Sequence, residues 1–211
     1  MKLLLTSGGL RNPSIIKAFL DLCPKQASEL KVAFIPTAQN VKPGNKDWVF
    51  DQLISLKDLG MKQIDIVDIS AIPKDMWLPR LEESDVIFVN GGDTAYLMDC
   101  FQKFGVTQEI PRLLKDRVYI GVSAGSYIAT PDLRLASGGS AAMTALGLVD
   151  FGLQVHLDTA KHPDTKNETA IRERVKGCPY KVYALDDQMA VKVDGYVVEV
   201  VGEGRYLEFA P

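Results

Sequence analysis

The chain has 211 residues, 46% hydrophobic and 24% charged, with a formal net charge of −3; this suits one medium globular domain, residues 1–211. That weak acidic balance excludes the basic footprint of a nucleic-acid or anionic-membrane partner, and no apolar stretch reaches membrane-spanning length. Cys23, Cys100 and Cys178 are odd in number and form no C-x-x-C pair, so neither a disulfide framework nor a metal site is expected and a reducing cytoplasm is the expected compartment.

In chain order, Lys2–Thr6 reads as a strand entering the glycine turn Ser7-Gly8-Gly9; its apolar run is too short for a secretion signal. Pro13–Leu22 carries Ile15, Ile16, Phe19 and Leu20 at helical spacing, and Val32–Ile35 is a second strand ended by Pro36. Trp48, Phe50, Leu53, Ile54 and Leu56 predict an amphipathic helix running into Leu59-Gly60. Ile64–Val67 and Val86–Val89 predict two more strands. Helices near Thr94–Phe104 and Thr107–Lys115 follow, then a strand at Val118–Ile120. Apolar strands alternating with helices indicate a parallel sheet covered on both faces, with ligands gathering at the carboxyl ends of its strands. Ser7-Gly8-Gly9, Asn90–Thr94 and Gly121–Gly125 all follow strands and are expected on that one edge. Beyond a helix near Thr169–Lys176, the segments Lys181–Leu185, Met189–Val193, Tyr196–Val201 and Tyr206–Phe209 read as short strands. Tight turns such as Asp194-Gly195 separate them, and they are expected to extend the sheet or pack against it.

Gly121-Val122-Ser123-Ala124-Gly125 carries the strongest chemical signal. A G-x-S-x-G stretch between a strand and a helix is the context of a nucleophile elbow, where a serine hydroxyl projects from a tight turn. The alternative is a turn in which Ser123 only caps the helix. A serine nucleophile needs a base within hydrogen-bond reach, and the chain has only His156 and His162. His156 ends an alternating, strand-like stretch, whereas His162 lies in a polar loop, so His156 is the candidate. Oxyanion donors are expected from the N–H of Ala124, directly after the serine, and from the glycine turn Asn90–Thr94.

The order Gly91-Gly92-Asp93-Thr94, Gly121–Gly125, Thr130–Arg134, Ala145–Leu148 and His156 resembles peptidase E, the aspartyl dipeptidase family of serine peptidases that also includes cyanophycinase. The similarity spans roughly Leu3 to Lys176. It implies an α/β fold of three layers, a mostly parallel sheet flanked by helices, like the class I glutaminase amidotransferases, here with extra C-terminal strands. It also implies Ser123 as nucleophile, His156 as general base, and the N–H groups of Gly92 and Ala124 as oxyanion hole. Two departures stand out. The family places a carboxylate between serine and histidine, yet the corresponding stretch Leu135–Ala142 contains none. Asp132 and Asp150 are the acids between Ser123 and His156, with Asp158 and Asp187 further afield; the leading expectation is a Ser–His dyad whose imidazole is held by a backbone carbonyl or water. Aspartyl dipeptidases also carry an arginine after a Glu-Thr pair, where this chain has Glu168-Thr169-Ala170. Arg174, one helical turn on, is the candidate replacement for substrate binding.

The resulting expectation is a cytoplasmic serine hydrolase that cleaves small peptides or amides through an acyl-enzyme, without metal or organic cofactor, with a homodimer as the candidate assembly. Ala170 counts against strict Asp-X dipeptidase activity. A small-ligand-binding pseudoenzyme on the same scaffold, and a non-peptidic amidase or esterase, are the competing readings.

Overall fold

The computed structural model describes residues 1–41, 43–136 and 143–211. Its strands are Lys2–Thr6 (β1), Lys31–Ile35 (β2), Gln63–Ile66 (β3), Val86–Val89 (β4), Val118–Val122 (β5), Gly152–Val155 (β6), Val182–Leu185 (β7), Met189–Asp194 (β8), Val197–Gly202 (β9) and Tyr206–Phe209 (β10). The helices are Pro13–Leu22 (α1), Asp47–Asp58 (α2), Lys74–Glu82 (α3), Thr94–Lys103 (α4), Val106–Leu113 (α5), Ala124–Tyr127 (α6), Pro163–Lys166 (α7) and Glu168–Val175 (α8). None of the described helices is long and apolar enough to cross a membrane.

Seven strands form the main sheet in the order β3-β2-β4-β5-β1-β8-β9. The first five run parallel, and β8 and β9 join antiparallel. Strand periodicity sends alternate residues to opposite faces. Leu3, Leu5, Ile35, Ile87 and Val89 therefore join one apolar cluster with Trp77 of α3, Leu97 of α4 and Ile110 of α5. Leu4, Phe34, Phe88 and Ile120 join a second cluster with Phe19 of α1 and Leu56 of α2. Burial on both faces is why these strands read as unbroken apolar runs. This is the expected mostly parallel α/β sheet between helical layers.

The C-terminal strands divide between two sheets. β8 and β9 extend the main sheet, whereas β7 pairs in parallel with β6 and antiparallel with β10 in a separate three-stranded sheet. The sequence pattern does not announce α3. It buries only Trp77 and Leu81, and Pro79 inside it removes a backbone donor. Helix α1 begins as its composition dictates: Asn12 caps it by accepting from the Ile15 N–H at 3.0 Å, and Pro13 supplies a preset first helical residue.

Register fixes the edge that matters. With β4, β5 and β1 adjacent and parallel, the residues after their carboxyl ends, Asn90, Ser123 and Ser7, come side by side. Across β2 and β4, Phe34 and Phe88 are register partners, and their rings stack with centroids 5.2 Å apart. Truncating fully buried Phe88 removes this stack and leaves a cavity. Phe88→Ala is expected to cost about 3–5 kcal/mol, read as a lower urea midpoint at unchanged m-value.

Candidate active site

Ser123 is the single residue between the end of β5 and the start of α6, so it must turn the chain by itself. It does so at φ +50° and ψ −101°, a region that costs a non-glycine residue of order 1–3 kcal/mol and needs enforcing neighbours. Its N–H donates to the Thr6 carbonyl at 3.1 Å, and its carbonyl accepts from the N–H groups of Ser126 and Tyr127 at 3.0 and 2.9 Å. Gly125 lets α6 close over β4: a Cβ at that position would lie 2.1 Å from the Val89 carbonyl oxygen.

His156 follows β6 and also has a positive φ, +65°. Its N–H donates to Ser7 Oγ at 2.9 Å, which pins the turn to the end of β1. The ring bridges two side chains: Nε2 lies 2.8 Å from Ser123 Oγ, and Nδ1 lies 2.6 Å from Asp187 Oδ1. An ionised carboxylate only accepts, so Nδ1 carries the proton and donates it. In the neutral ring Nε2 is then the acceptor, and it faces the serine hydroxyl. The order Ser123, His156, Asp187 is the arrangement that lets a ring take a hydroxyl proton and remain oriented and charge-balanced afterwards.

Asp187 lies in the turn between β7 and β8 and also accepts from Ser7 Oγ at 2.9 Å. Burial pushes its carboxyl upward. The hydrogen bond and charge of His156, the Ser7 hydroxyl and the charge of Arg11 together outweigh this and hold it below the ordinary carboxylate value.

These residues open on a pocket of about 200 Å³, lined also by Gly91 and Gly92. This is smaller than the roughly 300–1,000 Å³ of drug-sized ligand sites and suits a short substrate. Arg11, Lys161 and His162 give the pocket a basic lining, and Trp48 an aromatic one. Arg11 Nε donates to the Gly8 carbonyl at 2.9 Å, which anchors the base of its guanidinium. Gly92 adopts φ +140°, and a Cβ there would lie 2.1 Å from the Ala38 carbonyl oxygen, so only glycine fits this corner. Among the described residues, no group of three or more His, Cys, Asp or Glu side chains is arranged to hold a metal ion.

The structure brings Ser123 and His156 together and lines the same pocket with Gly92; buried Ala124 begins α6 beside them. It corrects the orienting group. The ring is held by Asp187, not by a backbone carbonyl or water, and neither Asp132 nor Asp150 reaches it. Asp132 is committed to Arg134 Nε at 2.9 Å and to the Tyr180 hydroxyl at 2.8 Å. Asp150 is exposed before the amino end of β6 while His156 follows its carboxyl end, on the order of 15–20 Å of extended chain away. Residues 137–142, most of the acid-free stretch Leu135–Ala142, lie outside the described residues. Arg174 is corrected as well. Its guanidinium donates to Gln154 Oε1 at 3.1 Å and to the Thr165 carbonyl at 3.2 Å, and it does not line the pocket. Ser7 and Asp187 are the residues sequence reasoning undervalued. The available signal was that both lie within two residues of a strand end, as Ser123 does.

The model of peptidase family S51 matches residues 3–201. A peptidase E from Streptomyces coelicolor is 28% identical over 135 residues, covering 60% of this chain and 56% of that protein, so the match spans little more than half of that relative. An uncharacterized peptidase from Pasteurella multocida is 30% identical, covering 67% of this chain and 72% of its own. Among solved structures, a peptidase E candidate from Listeria monocytogenes superposes with TM-score 0.79 at 22% identity, covering 96% of this chain and 98% of that one. A peptidase from an acI-B1 actinobacterium superposes with TM-score 0.72 at 17% identity, covering 99% and 93%.

The lowered Asp187 carboxyl makes stability depend on pH with a definite sign. A group whose folded value lies below its unfolded value contributes stability above the unfolded value, about 3.9, and loses it as pH falls through the folded one. Asp187→Asn is therefore expected to lower the urea midpoint at pH 7, and the difference from wild type should shrink in unfolding curves taken at pH 3 and below.

Proposed function

The chain belongs to peptidase family S51, and from that premise we propose that it is a serine hydrolase that cleaves small peptides or amides through an acyl-enzyme at Ser123. His156 Nε2 takes the Ser123 proton as Oγ attacks the substrate carbonyl. The C–O bond forms and the carbonyl electrons move onto oxygen, where the N–H groups of Gly92 and Ala124 receive the charge. The imidazolium is balanced by Asp187 and returns its proton to the departing amine. Water then repeats the sequence on the ester, again with His156 as base, and frees the acid product.

The observation that supports this reading most is the hydrogen-bonded chain from Ser123 through His156 to Asp187, at 2.8 and 2.6 Å, opening on the pocket. The volume of the pocket suits a short peptide or amide. The guanidinium of Arg11 and the ammonium of Lys161 suit one that carries a free carboxylate. Strict Asp-X dipeptidase activity is not part of the proposal, because position 170 is alanine and Arg174 is spent on Gln154 and Thr165.

Fluorophosphonate labelling tests the nucleophile. Wild type is expected to label and Ser123→Ala to remain blank; label retained by the variant would overturn the assignment. Asp187→Asn is expected to lower kcat by roughly 10³–10⁴ on the best substrate of a dipeptide panel. A parallel ester panel separates the peptidase from an esterase: turnover of esters alone, with no peptide cleaved, would refute peptide hydrolysis.

A further inference from the structure

Behind the pocket, four polar side chains that the proposed chemistry does not use meet at α6, β6, α7 and α8: Tyr127, Gln154, Lys166 and Arg174. Gln154 is fully buried, and Lys166 is only 2% exposed. Their hydrogen bonds admit one consistent assignment. Arg174 Nη1 lies 3.1 Å from Gln154 Oε1, and a guanidinium can only donate, so the amide oxygen faces Arg174 and the amide nitrogen faces Tyr127. Gln154 Nε2 then donates to the Tyr127 hydroxyl at 2.8 Å, and the Val155 N–H donates to the same oxygen at 3.3 Å. Both lone pairs of that oxygen are now taken. Its third neighbour is Lys166 Nζ, at 3.3 Å. An ammonium there would be a surplus donor, and among the described residues the phenol proton would have no acceptor. A neutral amine has a lone pair for it.

We propose that Lys166 is a positioning residue for the Ser123–His156 pair, acting as a neutral amine that accepts the Tyr127 proton and closes a relay from Arg174 through Gln154 and Tyr127. The proposal rests on the reading of Ser123 and His156 given above. The relay spans the two elements that carry them: Tyr127 ends the short helix that Ser123 opens, and Gln154 and Val155 lead directly into His156. The Lys166 carbonyl also accepts the Asp158 N–H at 2.7 Å, just beyond the histidine turn. An open relay leaves buried polar groups unsatisfied on both elements, and small misplacements of reacting atoms are costly.

Burial, more than charge, favours the neutral amine. Burial, reinforced by the Arg174 charge from α8 and opposed by Asp187 from the β7–β8 turn, lowers Lys166 to about 8. Burial raises the Tyr127 phenol, so its proton stays in place to be donated. No ion pair to a carboxylate holds the ammonium form among the described residues. Below about pH 8 Lys166 therefore gains a proton and the relay opens; above it the relay closes.

Nitrogen-detected NMR of the ¹⁵N-lysine-labelled protein reads this without reference to activity. One amine, absent from the Lys166→Gln spectrum, is expected to titrate near pH 8. For activity, Lys166→Gln offers an acceptor at every pH and Lys166→Arg a donor at every pH. Wild-type kcat/KM is expected to rise between pH 7 and 9 with a step near 8. The Gln variant should be flat across that range, within about twofold of the alkaline wild-type value, and the Arg variant flat and roughly tenfold lower. If Lys166→Arg fails to fold, the titration and the Gln variant decide. A step near pH 8 that survives in Lys166→Gln, or a protein labelled at Ser123 whose lysines all titrate above 10, would overturn the proposal alone. Wild type that takes no fluorophosphonate label would overturn the reading of Ser123 and with it the role of Lys166.

Discussion

Thr6 and Ser7, two adjacent hydroxyl residues at the carboxyl end of β1, hold the backbone of the site. The Thr6 carbonyl accepts from the Ser123 N–H at 3.1 Å and from Ser126 Oγ at 2.7 Å, while its hydroxyl donates to the Gly121 carbonyl at 2.9 Å. One residue further, Ser7 Oγ accepts from the His156 N–H and donates to Asp187, both at 2.9 Å. Thr6 and Ser7 are both fully buried. Each such bond contributes only about 1 kcal/mol net, but leaving a buried partner unsatisfied costs about 1–3. Shifting any one turn would strand several groups together, so the three turns behave as a unit.

That clamp explains how two strained residues persist. Ser123 and His156 are two of three non-glycine residues with positive φ among the described residues, the third being Asp158. Left alone, each would relax toward ordinary backbone. Here Ser123 is pinned by Thr6 on one side and by the first turn of α6 on the other, and His156 by Ser7. The strain is held by hydrogen bonds made outside the reacting atoms, so the hydroxyl and the ring meet without having to search for each other.

Much of this was legible in the residues. Apolar runs marked nine of the ten strands, and the glycines around Ser123 and at Asn90–Thr94 marked turns that only parallel strands could gather on one edge. β6 was legible more faintly, through alternation about His156. The orienting acid was not legible. Its position depends on β6 and β7 lying side by side in parallel, Val155 opposite Leu185, so that the residues following both strands meet. No local pattern encodes that pairing, and Asp186-Asp187 reads as an ordinary turn. Arg174 misled for a related reason: helical spacing gives its face of α8 but not its partners, and Gln154 in the neighbouring sheet and the Thr165 carbonyl accept from its guanidinium. Helix α3 escaped notice because its pattern is thin and broken by proline.

The chain order of the three hydrogen-bonded side chains has a consequence during biosynthesis. A ribosome delivers Ser123 and His156 before Asp187, and β8, which follows Asp187 and pairs with β1 along its length, later still. A nascent chain that has emerged through β6 and the residue after it therefore holds Ser123 and His156 but not the Asp187 carboxylate that meets the ring. The arrangement is completed only when the last third of the chain has emerged and docked.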